Sequence, residues 1–249
     1  MLIEQTIEQL HQLKLKAMAS ALEMQLDSST HQGLGFEERL GLLVDAELHD
    51  RDQRRLDRLL RAAKLKQASA CIEDVNYTAN RGLERPIVAS LSTSHWVEKS
   101  QHVLLTGPTG VGKTWIAWAL AQQALRKGLS VVYRRLVRLL EELEAARGDG
   151  TLPKLRAQLA RFRLIVLDDW AITPLTARNR QDLMELVEDR NGAGSLLITS
   201  QLPVSQWHDY LGDPTLADAI LDRLVHRAHR IELHGDSMRK LQSPAREEG

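Results

Sequence analysis

The sequence contains a single cysteine and no long apolar run. With only Cys71, the chain cannot form an internal disulfide or a cysteine metal cluster, and we interpret this residue as a small apolar side chain. No stretch approaches the roughly 18 apolar residues that indicate a membrane span, and the charged N-terminus is unlike a signal peptide. The nine histidines are scattered without a metal-ligand spacing. These absences favour a cytoplasmic protein that does not contact membranes.

The chain also lacks an excess of charge of either sign. Its 33 Lys and Arg residues balance 33 Asp and Glu residues, so no global field attracts the protein to nucleic acid. Any binding of nucleic acid must therefore depend on local basic patches.

Proline and apolar spacing divide the chain into parts. Residues 2–70 contain no proline, and sets such as Phe36, Leu40, Leu43 and Leu48 recur at helical spacing, which predicts a small all-α N-terminal domain over 1–70. Residues 71–100 lack a clear period and are interpreted as a linker and the start of the next domain. Over 101–249, helical stretches alternate with five strand-like runs: HVLLTG, SVVYR, RLIVLD, SLLITS and RIEL. This alternation predicts an α/β domain with a parallel five-stranded sheet flanked by helices.

One short motif predicts a nucleotide site. The sequence GPTGVGKT fits G-x-x-x-x-G-K-[ST], and it stands between a strand-like run and a helical stretch. Glycines let the backbone curl so that its N–H groups surround phosphate oxygens. Lys113 is expected to reach the β- and γ-phosphates of ATP, and the hydroxyl of Thr114 is expected to hold Mg²⁺. The predicted nucleotide-binding residues are Gly107, Pro108, Thr109, Gly110, Val111, Gly112, Lys113 and Thr114.

Two carboxylates follow another apolar run, RLIVLDDW. Ligands of open α/β sheets bind at the carboxyl ends of the strands, where Asp168 and Asp169 are predicted to lie. We expect Asp168 to hold Mg²⁺ through a water and Asp169 to polarise the attacking water as a general base. Many P-loop hydrolases have Glu at the second position. Asp169 is one methylene shorter, which places the predicted base slightly out of reach and predicts slow turnover.

A third run, SLLITSQLP, ends in polar residues. Thr199, Ser200 or Gln201 could contact the γ-phosphate or orient water, and we place Ser200 and Gln201 among the candidate catalytic residues. The pattern does not distinguish among the three.

The order of GPTGVGKT, LIVLDD, LLITSQLP, AILDRLVHRAHRIEL and GDSMRK resembles that in the AAA+ ATPases of the DnaA/DnaC branch, and especially the IstB-type helper ATPases of bacterial insertion sequences. The resemblance covers essentially the whole chain. It implies that Arg223 is an arginine finger, which enters the ATP site of a neighbouring subunit in a homo-oligomer. It also implies that Arg239 contacts the γ-phosphate in cis. Only ten residues follow Arg239, so a helical lid is expected to be small or absent.

Two basic regions are candidates for DNA binding. On a helix, arginines recurring at i+3 and i+4 between residues 51 and 61 form one cationic face opposite a leucine face. By the same resemblance, a helix within 134–161 is expected to line a DNA channel. Few aromatic residues accompany either region, which favours backbone contact with a duplex over base stacking. The candidates are Arg51, Arg54, Arg55, Arg58, Arg61, Arg134, Arg135, Lys154 and Arg161.

Three functions are compatible with these features. The first is an ATP-dependent helper of transposition that oligomerises on duplex DNA, recruits or activates a transposase, and disassembles on hydrolysis stimulated by DNA or the partner. The second is a DnaC-like loader of a replicative helicase. The third is a small-molecule P-loop kinase, which leaves the N-terminal domain unexplained.

Overall fold

The computed structural model describes residues 3–28, 31, 33–77 and 81–238, and the chain divides into two compact units, Met1–Arg58 and Leu59–Gly249. The division falls within one long helix, and the boundaries at residues 70 and 100 stay predictions. Within the described ranges, no helix combines the length and apolarity needed to cross a membrane.

The first unit is helical, as the residue spacing predicts. Its helices are α1 (Ile3–Gln12), α2 (Lys16–Asp27) and α3 (Phe36–Ala63), the last of which continues into the second unit. The buried carboxylate of Glu47 on α3 accepts hydrogen bonds from the backbone N–H groups of Ala17 and Met18, at 3.1 and 3.2 Å. These N–H groups lack partners within α2, so a carboxylate at this end stabilises the pairing of the two helices.

The apolar residues of α3 do not all face a core. Leu43 is buried, but Phe36, Leu40 and Leu48 are 78%, 40% and 55% exposed. Helical spacing predicts the helix correctly, but it does not determine which part of an apolar face is covered.

The second unit contains one parallel sheet with the order β2-β3-β4-β1-β5. Its strands are β1 (His102–Thr106), β2 (Val131–Arg135), β3 (Leu164–Trp170), β4 (Ser195–Ser200) and β5 (Ala228–Glu232). Strands β1, β3 and β4 are almost continuously buried, as expected for inner strands of a parallel sheet. The predicted five-stranded α/β architecture is confirmed.

Helices connect and cover these strands. They are α4 (Arg85–Ser92), α5 (His95–Glu98), α6 (Lys113–Arg126), α7 (Leu136–Gly148), α8 (Leu152–Ala160), α9 (Ala177–Arg190), α10 (Trp207–Leu211) and α11 (Pro214–Val225). The segment interpreted as a linker thus contains two helices. Pro86 occupies the first turn of α4, where its missing N–H removes no helical hydrogen bond.

The sheet order brings the predicted motifs to one edge. β1 lies between β4 and β5, and β4 also pairs with β3. Because all strands are parallel, the loops that follow β1, β3 and β4 emerge together at their carboxyl ends. This arrangement positions a ligand site at that edge of the sheet.

Candidate functional site

The GPTGVGKT loop has the curled backbone that the motif predicts. Gly107, Gly110 and Gly112 have φ angles of 138°, 90° and 96°, which side-chain-bearing residues rarely adopt. A Cβ atom at Gly107 would also collide with the carbonyl oxygen of Leu233. Glycine is therefore required at Gly107 by its conformation and by close packing.

Lys113 holds this loop together. Its ammonium group, on a residue only 8% exposed, donates hydrogen bonds to the carbonyl oxygens of Gly107 and Pro108 at 2.8 and 2.7 Å. Burial lowers the pKa of Lys113, opposed by the negative charges of Asp168 and Asp169. As the first residue of α6, Lys113 also adds its charge to the positive end of a 14-residue helix. The loop is thus a positively charged cradle of the kind that phosphates occupy.

The side chains of Thr114 and Asp168 are in contact at the edge of the sheet where the strands have their carboxyl ends. The Thr114 hydroxyl donates a 2.8 Å hydrogen bond to Asp168 Oδ1, and Asp168 is 4% exposed. A hydroxyl and a carboxylate are hard oxygen donors that fit Mg²⁺, which prefers few protein ligands together with waters and phosphates. Among the described residues there is no cluster of three or more His, Cys, Asp or Glu side chains able to form an all-protein cage. This donor set fits a magnesium ion, which Thr114 and Asp168 would hold and which would neutralise part of the phosphate charge of bound ATP.

A β-bulge places two successive carboxylates at this edge. Leu167 pairs with Ile198 and Trp170 with Ser200, so Asp168 and Asp169 together face one residue of β4. Asp169 has a φ of 64°, in the left-handed region. Successive side chains of a regular strand point to opposite faces, and the bulge changes this alternation.

Two hydroxyls besides that of Thr114 hold Asp168. Tyr133 Oη, from the middle of β2, donates to Asp168 Oδ2 at 2.6 Å, and Thr199 Oγ1 donates to Oδ1 at 2.5 Å. Burial and the hydrogen bond to Asp168 raise the pKa of Tyr133, which keeps the phenol protonated as a donor. The sequence pattern did not predict Tyr133, because its contact depends on β2 lying beside β3.

The three candidates at the end of β4 have different surroundings. Thr199 also accepts a 3.2 Å hydrogen bond from the Asp169 N–H, so it contacts both carboxylate residues. The Ser200 hydroxyl donates to the Trp170 carbonyl at 3.0 Å and accepts from the Leu202 N–H. Gln201 is exposed. Thr199 is therefore the one in contact with the acids, and the roles of all three stay predictions.

Asp169 is paired with a cation. Arg135, the last residue of β2, contacts Asp169 Oδ2 through Nε at 2.7 Å and through Nη2 at 2.6 Å. The hydrogen bond and the negative charge of Asp169 raise the pKa of Arg135. In this conformation the carboxylate predicted to act as a general base is engaged by a guanidinium.

Arg223 lies on α11 and is held within its own subunit. It forms an ion pair with Glu188 of α9, and its Nη1 donates to the Ala219 carbonyl at 2.9 Å. A role in a neighbouring ATP site requires that this ion pair opens. Arg239, predicted to contact the γ-phosphate, lies outside the described residues, as does the chain that would form a lid.

An aromatic stack connects the two acids to the helices that follow β4. Trp170, directly after Asp169, packs on Trp207 of α10 with ring centroids 5.0 Å apart, and both side chains are fully buried. α10 packs in turn on α11, which carries Arg223. Packed side chains therefore connect the residue after the predicted base to the helix that carries the predicted finger.

The basic candidates of α3 are exposed. Arg51 pairs with Glu47 and Arg54 with Asp50, so upstream carboxylates compensate part of the charge. The other candidates on this helix are Arg55, Arg58 and Arg61.

The candidates around α7 and α8 differ in accessibility. Arg134 is 9% exposed and pairs with Glu142 at 3.3 Å, which limits its contact with any ligand. Lys154 and Arg161 are exposed at the two ends of α8. DNA contact by any of these residues stays a prediction.

Comparison with known proteins agrees with this geometry. The family model described as IstB-like ATP binding protein matches residues 8–245. An insertion sequence ATP-binding protein of Sinorhizobium fredii is 45% identical over 242 residues, covering 97% of this chain and 98% of its own length. One from Pseudomonas fluorescens is 48% identical over 205 residues, covering 82% and 89%.

A solved structure supports the fold independently. The crystal structure of the DnaC helicase loader superposes with a TM-score of 0.54 at 18% identity, covering 68% of this chain and 99% of the loader chain. At this identity the likeness concerns the fold alone. The chain is an ATPase with the AAA+ fold, and it belongs to the family of IstB-like ATP binding proteins.

Proposed function

We propose that this ATPase is a cytoplasmic helper of transposition, which assembles on duplex DNA when it binds ATP and Mg²⁺ and then recruits or activates a transposase. The observation that carries this proposal is the extent of its likeness to insertion sequence ATP-binding proteins. At 45% identity, one alignment covers 97% of the chain and so includes the helical N-terminal unit as well as the ATPase unit. Hydrolysis then releases the assembly.

The nearest alternative is a loader of a replicative helicase. The likeness to the DnaC loader covers 68% of this chain at 18% identity, which supports a common fold without a common partner. The small-molecule kinase hypothesis loses its basis, because the matched family spans residues 8–245, including the N-terminal region that a kinase leaves unexplained. Capture of purified transposase rather than replicative helicase by the ATP-bound protein tests the assignment of partner.

Duplex binding is proposed to involve the basic face of α3. Seven basic residues between 51 and 66 exceed the two acids there by five. Exposed arginines along a helix can follow phosphates without recognising sequence. The ion pairs of Arg51 and Arg54 with acids one turn earlier are exchanged for phosphate contacts when DNA binds.

We expect simultaneous replacement of Arg51, Arg55 and Arg58 by Gln to weaken duplex binding similarly for unrelated sequences. The slope of log affinity against log salt should become shallower by up to about three units per subunit, since each neutralised phosphate contributes roughly 0.9. Glutamine has nearly the helix propensity of arginine, so α3 is retained. Fluorescence anisotropy with labelled duplexes at several salt concentrations measures this slope.

A matched variant removes three exposed charges elsewhere. Replacement of Lys99, Lys127 and Arg178 by Gln lowers the net charge equally outside the proposed DNA-binding regions. If both triple variants weaken duplex binding equally, α3 contributes only general electrostatic attraction. If the α3 variant binds duplex as tightly as wild type, the DNA contacts must instead be assigned to the region around α7 and α8.

The ion pair between Arg135 and Asp169 supports stimulation of hydrolysis by DNA. Arg135 is among the predicted DNA-binding residues, and it engages the predicted base at 2.6 Å. A phosphate that competes for this guanidinium releases Asp169 to polarise water. The low turnover expected without DNA then follows from the same ion pair.

We expect Arg135→Gln to raise ATP turnover in the absence of DNA by up to about tenfold, a fraction of the roughly 10²- to 10⁴-fold that a general base contributes. Stimulation by duplex should shrink correspondingly. Arg138→Gln is the control. It removes one positive charge from the same region, but Arg138 pairs with Glu141 and not with Asp169. A phosphate-release assay distinguishes the two, and lower basal turnover in Arg135→Gln would instead assign the arginine to positioning the base.

A further inference from the structure

A buried arginine outside the known motifs lies against the nucleotide loop. Arg81 is 5% exposed, and its Nη1 donates to the Val111 carbonyl and its Nη2 to the Asn76 carbonyl, both at 2.9 Å. Its Nε is buried and has no partner among the described residues. Arg81 therefore joins the GPTGVGKT loop to the segment that precedes α4, with donor capacity remaining.

The guanidinium of Arg81 lies next to the residue that begins the phosphate-binding helix. A Cβ atom placed on Gly112 would be 2.6 Å from Arg81 Nη1, so a side chain there would displace the guanidinium. Gly112 is the N-cap of α6 and immediately precedes Lys113. The backbone of Arg81 is also fixed, because its carbonyl accepts a 3.0 Å hydrogen bond from the His234 N–H.

The chain itself supplies little compensation for this charge. Among the described residues, no carboxylate forms an ion pair with Arg81, and its two acceptors are neutral carbonyls. Burial lowers the pKa of Arg81, which reflects the cost of holding its charge away from water. The residue after Gly112 is the cationic Lys113, and the N-terminus of α6 that it begins is also positive. A buried charge without an ionic partner is costly, and this concentration of positive charge favours an anion at the same place.

We propose that Arg81 is a nucleotide-binding residue that provides the ATP phosphates with a second positive charge beside Lys113, while its contact with Val111 fixes the shape of the loop. The ligand chemistry is that of a polyphosphate. Arg81 thereby links occupancy of the loop to the segment before α4 and, through His234, to the chain that follows β5.

Two replacements separate the charge of Arg81 from its bridging geometry. Arg81→Lys keeps the charge but loses the two-armed contact, whereas Arg81→Gln loses both. We expect Arg81→Gln to weaken binding of a fluorescent ATP analogue by about tenfold or more, and Arg81→Lys to remain within about threefold of wild type. Arg85→Gln is the matched control, because Arg85 is exposed and lies over the Tyr77 ring, 4.8 Å from its centroid.

Thermal unfolding without and with ATP provides a second measurement. A residue that is only structural lowers the unfolding temperature of the nucleotide-free protein, whereas loss of a phosphate partner reduces the increase that ATP produces. Equal loss of ATP affinity in the Lys and Gln variants would overturn the proposal in favour of a structural bridge. Wild-type affinity in the Gln variant would overturn it outright.

If Arg81→Gln does not fold, the lysine variant alone tests the proposal. A buried lysine can lose its proton as pH rises, whereas arginine cannot. ATP affinity of Arg81→Lys, divided by that of wild type, should therefore fall between pH 7 and about 9.5. Titratable groups elsewhere in the chain are present in both proteins, so their effects largely cancel in the ratio. A constant ratio contradicts the proposal, and because no DNA is present, this outcome is independent of the transposition function.

Discussion

Lys113→Ala and Asp169→Asn are expected to separate binding of ATP from its hydrolysis. Lys113→Ala removes the ammonium that holds the Gly107 and Pro108 carbonyls and is predicted to reach the phosphates, so ATP affinity should fall by roughly 100-fold or more. Asp169→Asn leaves this cradle intact but cannot accept a proton from water. Its turnover should fall by about 10²- to 10⁴-fold, with ATP affinity changed by less than about threefold.

Equilibrium binding and single-turnover hydrolysis measure these two effects separately. Asp209→Asn is a suitable control, because its carboxylate is 93% exposed and is not among the predicted nucleotide-binding or catalytic residues. Hydrolysis by Asp169→Asn at the wild-type rate would show that the base is a different group. ATP affinity unchanged in Lys113→Ala would be incompatible with the proposed phosphate contacts.

Arg223→Ala should bind ATP normally and lose most turnover, together with ordered oligomers. An arginine finger supplied by another subunit contributes about 10³- to 10⁵-fold to turnover in ATPases and GTPases. Mixing Arg223→Ala with Lys113→Ala should restore part of the activity. In such a mixture, one subunit contributes the intact phosphate cradle and its neighbour contributes the arginine.

The ion pair between Arg223 and Glu188 provides the matched control. Glu188→Gln removes the ion-pair partner of Arg223 but retains Arg223 itself, so this variant should hydrolyse ATP at least as fast as wild type. Turnover measured over a series of mixing ratios, with light scattering for assembly, tests the arrangement. Absence of any rescue at all ratios would argue that Arg223 acts within its own subunit.

Local patterns predicted the strands and the nucleotide loop because their chemistry is contiguous in sequence. Gly107, Lys113 and Asp168 are recognisable from spacing and from the apolar runs beside them. The partners of Asp168 and Asp169 are different, because Tyr133 and Arg135 contact these acids only through the pairing of β2 with β3. An apolar run predicts a strand, but it does not predict which other strand will lie beside it in the sheet.

The other differences between the sequence-based predictions and the structure also have physical causes. Arg-Pro at residues 85 and 86 begins a helix because proline is favourable in a first turn, although the same pair is common in irregular segments. The bulge that aligns Asp168 and Asp169 needs a left-handed φ at a residue other than glycine, which no local pattern indicated. Arg81 lies some thirty residues before Val111 and has no motif of its own.

The stacked pair of Trp170 and Trp207 gives the enzyme an intrinsic optical reporter. Both indoles are shielded from solvent, and the coupling of their excited states depends on the 5.0 Å separation of the rings. One ring belongs to the residue directly after Asp168 and Asp169, and the other belongs to the helix packed against α11. A change in their separation alters the emission spectrum of the unlabelled protein. Ultraviolet fluorescence at stopped-flow time resolution can therefore follow changes in the packing of β3 against α10 after ATP is added.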